Sequence, residues 1–155
     1  MNIRKASIED LDLLIRVRFD YLTKSGGPLS EAERESLTEY MIPYFEQHLE
    51  DDTFIAIFAE EEDVIAAVAF LALSDMPASP SFPTGKIGTV LNVLTYEDFR
   101  RKGLASQVIE RILTEARAQN VRTVRLSATK MGEPLYQKIG FTNAEHQAMT
   151  ISLPA

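Results

Sequence analysis

The amino-acid sequence predicts a mixed α/β fold of the α+β kind. Helical patterns interrupt strand patterns in the order β-α-α-β-β-β-α-β-α-β, and the three consecutive strands in the middle read as an antiparallel meander. The chain has 155 residues, 45% hydrophobic and 25% charged. That is the composition of one soluble domain spanning 1–155, long enough to bury a core without metal or disulfide staples.

Each element has its own signal. A short strand around Asn2 to Lys5 is followed by Ser7-Ile8-Glu9-Asp10, whose hydroxyl and carboxylates suit the free amides of a helix start. Leu11, Leu14, Ile15 and Leu22 then recur at helical spacing with Phe19 on the flank, and Gly26-Gly27-Pro28 stops the helix. Ser30-Glu31-Ala32-Glu33 opens a second helix with the apolar stripe Leu37, Tyr40, Met41, Tyr44, Phe45 and Leu49, which Pro43 is expected to kink or split. Phe54 to Ala59, an acidic turn at Glu60 to Asp63, and the apolar run Val64 to Leu73 form a hairpin of buried strands. Pro77, Pro80 and Pro83 make Ser74 to Gly85 an exposed loop of the kind that borders sites. Lys86 to Thr95 is a strand, and Leu104, Val108, Ile112 and Ala116 mark a helix ending near Asn120. Val121 to Ser127 is a strand, Glu133 to Ile139 a helix stopped by Gly140, and Glu145 to Leu153 a last strand.

Composition excludes several functions. Sixteen Lys and Arg against twenty-three Asp and Glu leave a formal charge of −7, the wrong sign for a protein that grips nucleic-acid phosphates. No cysteine is present, so disulfides, thiolate zinc sites and cysteine nucleophiles are out. No apolar run approaches the roughly 18 residues of a membrane span, and the N-terminus has no signal-peptide core, so a cytoplasmic location with no membrane contact is expected. G-x-x-x-x-G-K-[ST], G-x-G-x-x-G and G-x-S-x-G are absent, which removes support for nucleotide hydrolysis, dinucleotide redox chemistry and a serine triad. His48 reads as a half-buried helix residue and His146 as a surface residue, neither at metal-ligand spacing, so no metal is expected.

The informative stretch is Leu91 to Ser106. A strand runs into Arg100-Arg101-Lys102-Gly103, and a helix starts at once with Leu104, Ala105 and Ser106. The first amides of a helix lack intrahelical partners and carry about half a positive charge, and three cations crowd there in an otherwise acidic chain. Phosphate is the natural occupant of such a seat.

Arg100-Arg101-Lys102-Gly103-Leu104-Ala105 matches the R/Q-x-x-G-x-G/A loop of the GNAT superfamily of N-acetyltransferases, and Leu135-Tyr136-Gln137-Lys138-Ile139-Gly140-Phe141 is similar to that family's L-Y-x-K-x-G-F segment. Together with the element order, the likeness covers nearly the whole chain. The resemblance implies a GNAT-like fold: a mixed, mostly antiparallel central sheet of six to seven strands, helices on both faces, and acetyl-CoA wedged where the strand ending at Thr95 diverges from the strand 121–127. It implies that Val93 and Thr95 contact the acetyl and pantetheine arm through their backbone. Arg100, Arg101, Lys102, Gly103, Leu104, Ala105 and Ser106 would hold the pyrophosphate, Ser127 would touch pantetheine, and Tyr136 would be the general acid. It further implies direct transfer to a primary amine of a small molecule or peptide, an acceptor pocket bordered by Phe19, Tyr21, Gly26, Gly27 and Tyr40, and a homodimer as a common arrangement.

Such a transfer needs a neutral amine, stabilisation of the charge that develops on the carbonyl oxygen, and a proton for the departing thiolate. A thiol pKa near 8.5 lies below that of tyrosine, about 10, and Tyr136 could donate its hydroxyl proton to the thiolate with help from local desolvation, which makes the thiolate more basic. The strand Lys86 to Thr95 carries no carboxylate to act as base, which leaves a water chain to a more distant one, and also leaves a non-catalytic acyl-CoA-binding or regulatory module as the competing expectation. Glu31, Glu35 and Glu39 would draw a cationic amine, or simply form a solvated helix face.

Overall fold

The computed structural model describes residues 1–155. Strands β1 (Asn2–Lys5), β2 (Phe54–Glu61), β3 (Val64–Asp75), β4 (Lys86–Thr95) and β5 (Thr123–Arg125) form one sheet in the order β1-β2-β3-β4-β5. The first four are antiparallel, and β5 joins β4 in parallel through the pairs Ile87–Thr123, Gly88–Val124 and Thr89–Arg125. β2 and β3 are almost wholly apolar because the sheet is covered on both faces.

On one face α3 (Leu104–Ala118) buries Leu104, Val108, Ile109, Ile112 and Ala116 against Ile55, Ile57 and Leu71. This is the stripe its periodicity predicts. On the other face α1 (Leu11–Gly26) and α2 (Glu31–Glu50) pack Leu14, Val17 and Phe45 against Phe54, Phe58 and Phe70. Phe54 sits 5.1 Å from Phe45 and 4.9 Å from Phe70 between ring centroids, an aromatic knot beneath α2. Serine and glutamate cap α2 reciprocally: Ser30 N donates to Glu33 Oε1 and Glu33 N to Ser30 Oγ. Arg4 ties the start of the chain together, binding both carboxylate oxygens of Asp10 at 2.9 Å and Glu60 at 2.8 Å.

Four expectations are corrected. The sheet has five strands, not six to seven. The strand expected over 145–153 is not formed: Met149, Ile151 and Leu153 alternate as a strand should but are 82–90% exposed. An edge strand needs a partner ladder, and β5 offers only three residues of the predicted 121–127. Pro43 does not split α2, which runs unbroken, since the carbonyl it deprives of a donor belongs to solvent-exposed Glu39. The proline loop 76–85 does not border the cleft described below. It braces β5 instead, through Thr84 Oγ1 donating to the Asn120 carbonyl at 2.9 Å and through Thr123 Oγ1 bonded to the Ser81 carbonyl.

Candidate active site

The site begins with a fault in the β3–β4 ladder. Val68 pairs with Leu94 and Phe70 with Leu91, so Ala69 alone faces both Asn92 and Val93. Asn92 absorbs this bulge in the left-handed region at φ 57°, a conformation asparagine tolerates better than most residues. The bulge turns Leu91 and Asn92 toward the α1 and α2 face while Val93 points to the α3 face. Asn92 is 1% exposed and fully satisfied: Arg18 donates to its Oδ1 at 3.2 Å, and its amide donates to the Val17 carbonyl at 3.4 Å.

Beyond the bulge, β4 ends at Thr95 and a 3-10 turn at Glu97–Phe99 leads into the loop before α3. Arg101 (φ 64°) and Gly103 (φ 73°) are both left-handed, and Gly103 caps α3. A Cβ placed on Gly103 would meet nothing within 4 Å, so its backbone faces open space. Lys24 and Arg100 lie close enough that burial and the like charge of Arg100 together push the Lys24 ammonium below the ordinary lysine range. Left-handed turns, the first amides of a helix and crowded cations form an electropositive cradle whose residues fit the pyrophosphate of a coenzyme A thioester.

This cradle is one end of a cleft of about 590 Å³, within the size range of small-molecule sites. Of the residues expected to bind the cofactor or act on it, Val93, Thr95, Arg100, Arg101, Gly103, Leu104, Ala105, Ser106 and Tyr136 line it. Lys102 does not; its ammonium sits 5.4 Å from the centre of the Phe99 ring. Ser127 is exposed and outside the lining, because β5 ends before it, and Thr129 is the hydroxyl residue that reaches the cleft. Of the expected acceptor-side residues, Tyr21 lines this cleft and Tyr40 lines a second pocket, while Gly26 and Gly27 line neither and Phe19 is buried under Arg34.

Tyr136 stands on the short helix α4 (Glu133–Ile139), wedged between the edge of Phe141 at 6.0 Å and Gly132, where a Cβ would come within 3.0 Å of its ring. Burial, and to a lesser degree Tyr21, push its phenol above the ordinary tyrosine value. No carboxylate lines the cleft. Asp20 on α1 accepts a hydrogen bond from Tyr96 Oη at 2.5 Å, and burial together with that carboxylate raises the Tyr96 phenol strongly. Sequence reasoning missed Arg18 and Asn92 as site partners. The only signal was an asparagine within the apolar run Val90 to Leu94.

The model of the acetyltransferase (GNAT) family matches residues 20–141. The chain belongs to the GNAT acetyltransferase family. As a GNAT protein it falls among enzymes that generally carry out acyl-CoA-dependent N-acetylation. The whole chain is similar in structure to a predicted acetyltransferase from Clostridium acetobutylicum solved with acetyl-CoA, at 29% identity and a TM-score of 0.85, covering 97% of this chain and 95% of that one. A GCN5-related N-acetyltransferase from Ralstonia eutropha JMP134 shares the fold at 24% identity and a TM-score of 0.81, covering 97% of each chain. Glucosamine-6-phosphate N-acetyltransferase from Arabidopsis thaliana does so at 22% identity and a TM-score of 0.67, again over 97% of each. A search of the curated proteins finds no match. No helix of this GNAT domain is long and apolar enough to cross a membrane.

Proposed function

We propose that this protein is an acetyl-CoA-dependent N-acetyltransferase that moves the acetyl group directly to a primary amine. The observation that carries the reading is the continuity of one cleft from the diphosphate cradle at Arg101–Ser106, past the backbone of Val93 and Thr95, to the hydroxyl of Tyr136. The likeness to an acetyltransferase solved with acetyl-CoA supports the same cosubstrate.

Acetyl-CoA, when bound, supplies an activated carbonyl on a thiol leaving group. The chain's part is to hold and polarise. Amides of Gly103 to Ser106 and the cations Arg100 and Arg101 bind the diphosphate. The interrupted ladder at Asn92–Val93 leaves a backbone amide to receive the charge that builds on the carbonyl oxygen. As the new N–C bond forms, the C–S bond breaks and Tyr136 Oη gives its proton to the sulfur. The amine proton leaves through water, since no side chain in the cleft can take it. With no cysteine in the chain, no thiol is available to carry the acetyl group between the two substrates.

The lack of a carboxylate in the cleft also favours a second reading, a non-catalytic acyl-CoA-binding module. Thiol release from acetyl-CoA across a panel of primary amines separates them. Release above the uncatalysed rate with any amine supports the transferase; acetyl-CoA binding with no release throughout supports the module.

A further inference from the structure

Arg18 is a half-buried cation with no carboxylate to pair with. Its guanidinium donates to Asn92 Oδ1 at the bulge and makes no ion pair, whereas Arg4 and Arg111 are both paired with acids. It opens onto a second pocket, of about 310 Å³, on the α2 side of β4. Apart from Arg18 every lining residue of that pocket is apolar or aromatic, including Leu22, Met41, Phe54, Phe70 and Leu91. Its outer wall is the stripe of α2 that periodicity assigns to the core. Only Phe45 of that stripe is buried, and Tyr40 is 76% exposed.

We infer that the acetyl acceptor is an α-amino acid with a large apolar or aromatic side chain, its carboxylate held by Arg18 and its side chain in the pocket under Tyr40 and Tyr44. This inference rests on the transferase reading and names its substrate class. The state of Arg18 and the character of the pocket beside it converge on it. A partly desolvated guanidinium with spare donors binds a carboxylate in two parallel hydrogen bonds, so it selects an anionic group and repels a cationic amine. Burial lowers the Arg18 guanidinium below the ordinary arginine range, and Tyr21 and Tyr44 offset this only in part. Beyond Arg18 and the phenol groups of Tyr40 and Tyr44 the pocket has few partners for the many hydroxyls of a sugar, and unpaired polar groups there would be costly, whereas it can take an apolar side chain. Arg18 is bonded to Asn92, the neighbour of Val93, and the adjoining α1 residues Tyr21 and Leu22 line the acetyl cleft and this pocket respectively, so an amino acid whose carboxylate sits on Arg18 would have its α-amine directed toward that cleft. The products are the N-acetyl amino acid and coenzyme A: the amine nitrogen gains the acetyl carbon and loses a proton to water, and the sulfur gains the proton of Tyr136.

This replaces the expectation that Glu31, Glu35 and Glu39 draw a cationic acceptor. All three are exposed, and none lines either pocket.

The test is coenzyme A release with acetyl-CoA and L-phenylalanine, L-leucine, glycine, phenethylamine and spermidine, run beside calorimetry with acetyl-CoA alone. The expected result is a kcat/KM for L-phenylalanine or L-leucine at least about tenfold above glycine, phenethylamine and spermidine. Arg18→Gln should raise the amino-acid KM by about tenfold or more, Arg18→Lys should recover part of it, and neither should change acetyl-CoA affinity. Tyr40→Ala, at an exposed position, should raise the KM for L-phenylalanine by about twofold to tenfold and leave that for glycine alone. Preference for phenethylamine or spermidine, or no transfer to any amino acid while acetyl-CoA binds, overturns the acceptor assignment and leaves cosubstrate binding intact. Failure to bind acetyl-CoA overturns the underlying reading itself.

Discussion

The Arg18 guanidinium meets the Asn92 side-chain carbonyl at 3.2 Å, fastening the middle of α1 to the bulge of β4 across 74 residues of sequence. The same asparagine holds the Val17 carbonyl with its amide end, so one buried side chain fixes both the helix and the fault in the ladder.

Asn92→Leu should therefore destabilise the fold by about 1–3 kcal/mol, because it takes the acceptor away from the half-buried Arg18 guanidinium and puts a branched side chain at positive φ. Asn92→Gly keeps the backbone conformation and loses only the hydrogen bonds, so it should cost less. Urea unfolding of the two variants measures the difference.

Replacing Gly103 with glutamate should abolish acetyl-CoA binding in calorimetry. The side chain has room, since nothing lies within 4 Å of its Cβ, but it carries a negative charge into the diphosphate cradle. The left-handed φ of 73° adds roughly 1 kcal/mol of backbone strain, which a small drop in Tm of the free protein would report.

Tyr136→Phe should leave acetyl-CoA affinity nearly intact and slow turnover by roughly 10²-fold. The phenol acts as an acid only while protonated, and burial raises its pKa. Wild-type activity should hold through the ordinary tyrosine value of about 10 and fall only as pH rises through the raised one. The alkaline limb of the pH–rate profile should vanish in the variant.

Arg4 donates to Asp10 and holds its carboxyl below the ordinary aspartate range. A depressed folded value means that the stabilisation is complete above the unfolded pKa of about 3.9 and is lost as pH falls through the folded one. Asp10→Asn should cost about 1–3 kcal/mol near neutral pH, and the gap from wild type should close as pH drops toward about 3. Urea midpoints across that range measure it.

Much of this was legible in the sequence because it is local. The apolar stripe of α3, the Ser30–Glu33 cap and the Arg100–Ser106 turn each depend on neighbours a few residues apart. The Leu135–Phe141 segment likewise places Tyr136 in the cleft. Contacts set by the tertiary arrangement were not legible. Nothing in the sequence around Asn92 shows that α1 lies across it, and the resemblance that put Ser127 in the site came with a strand running to 127, where β5 stops at Arg125. The stripe of α2 shows the same limit: its period is correct, yet one helix can use an apolar face both as core and as the wall of a pocket, and spacing alone does not divide the two.

β2, β3 and β4 are locked by long antiparallel ladders, while β5 hangs on three residue pairs and α4 follows it. Stability is thus uneven along the sheet, and the end that carries Tyr136 is the one most readily loosened by local opening. A thioester lying from α3 to Tyr136 would bridge the firm half to the soft one, so a proton donor at Tyr136 would be steadied in register by the very molecule it is to protonate.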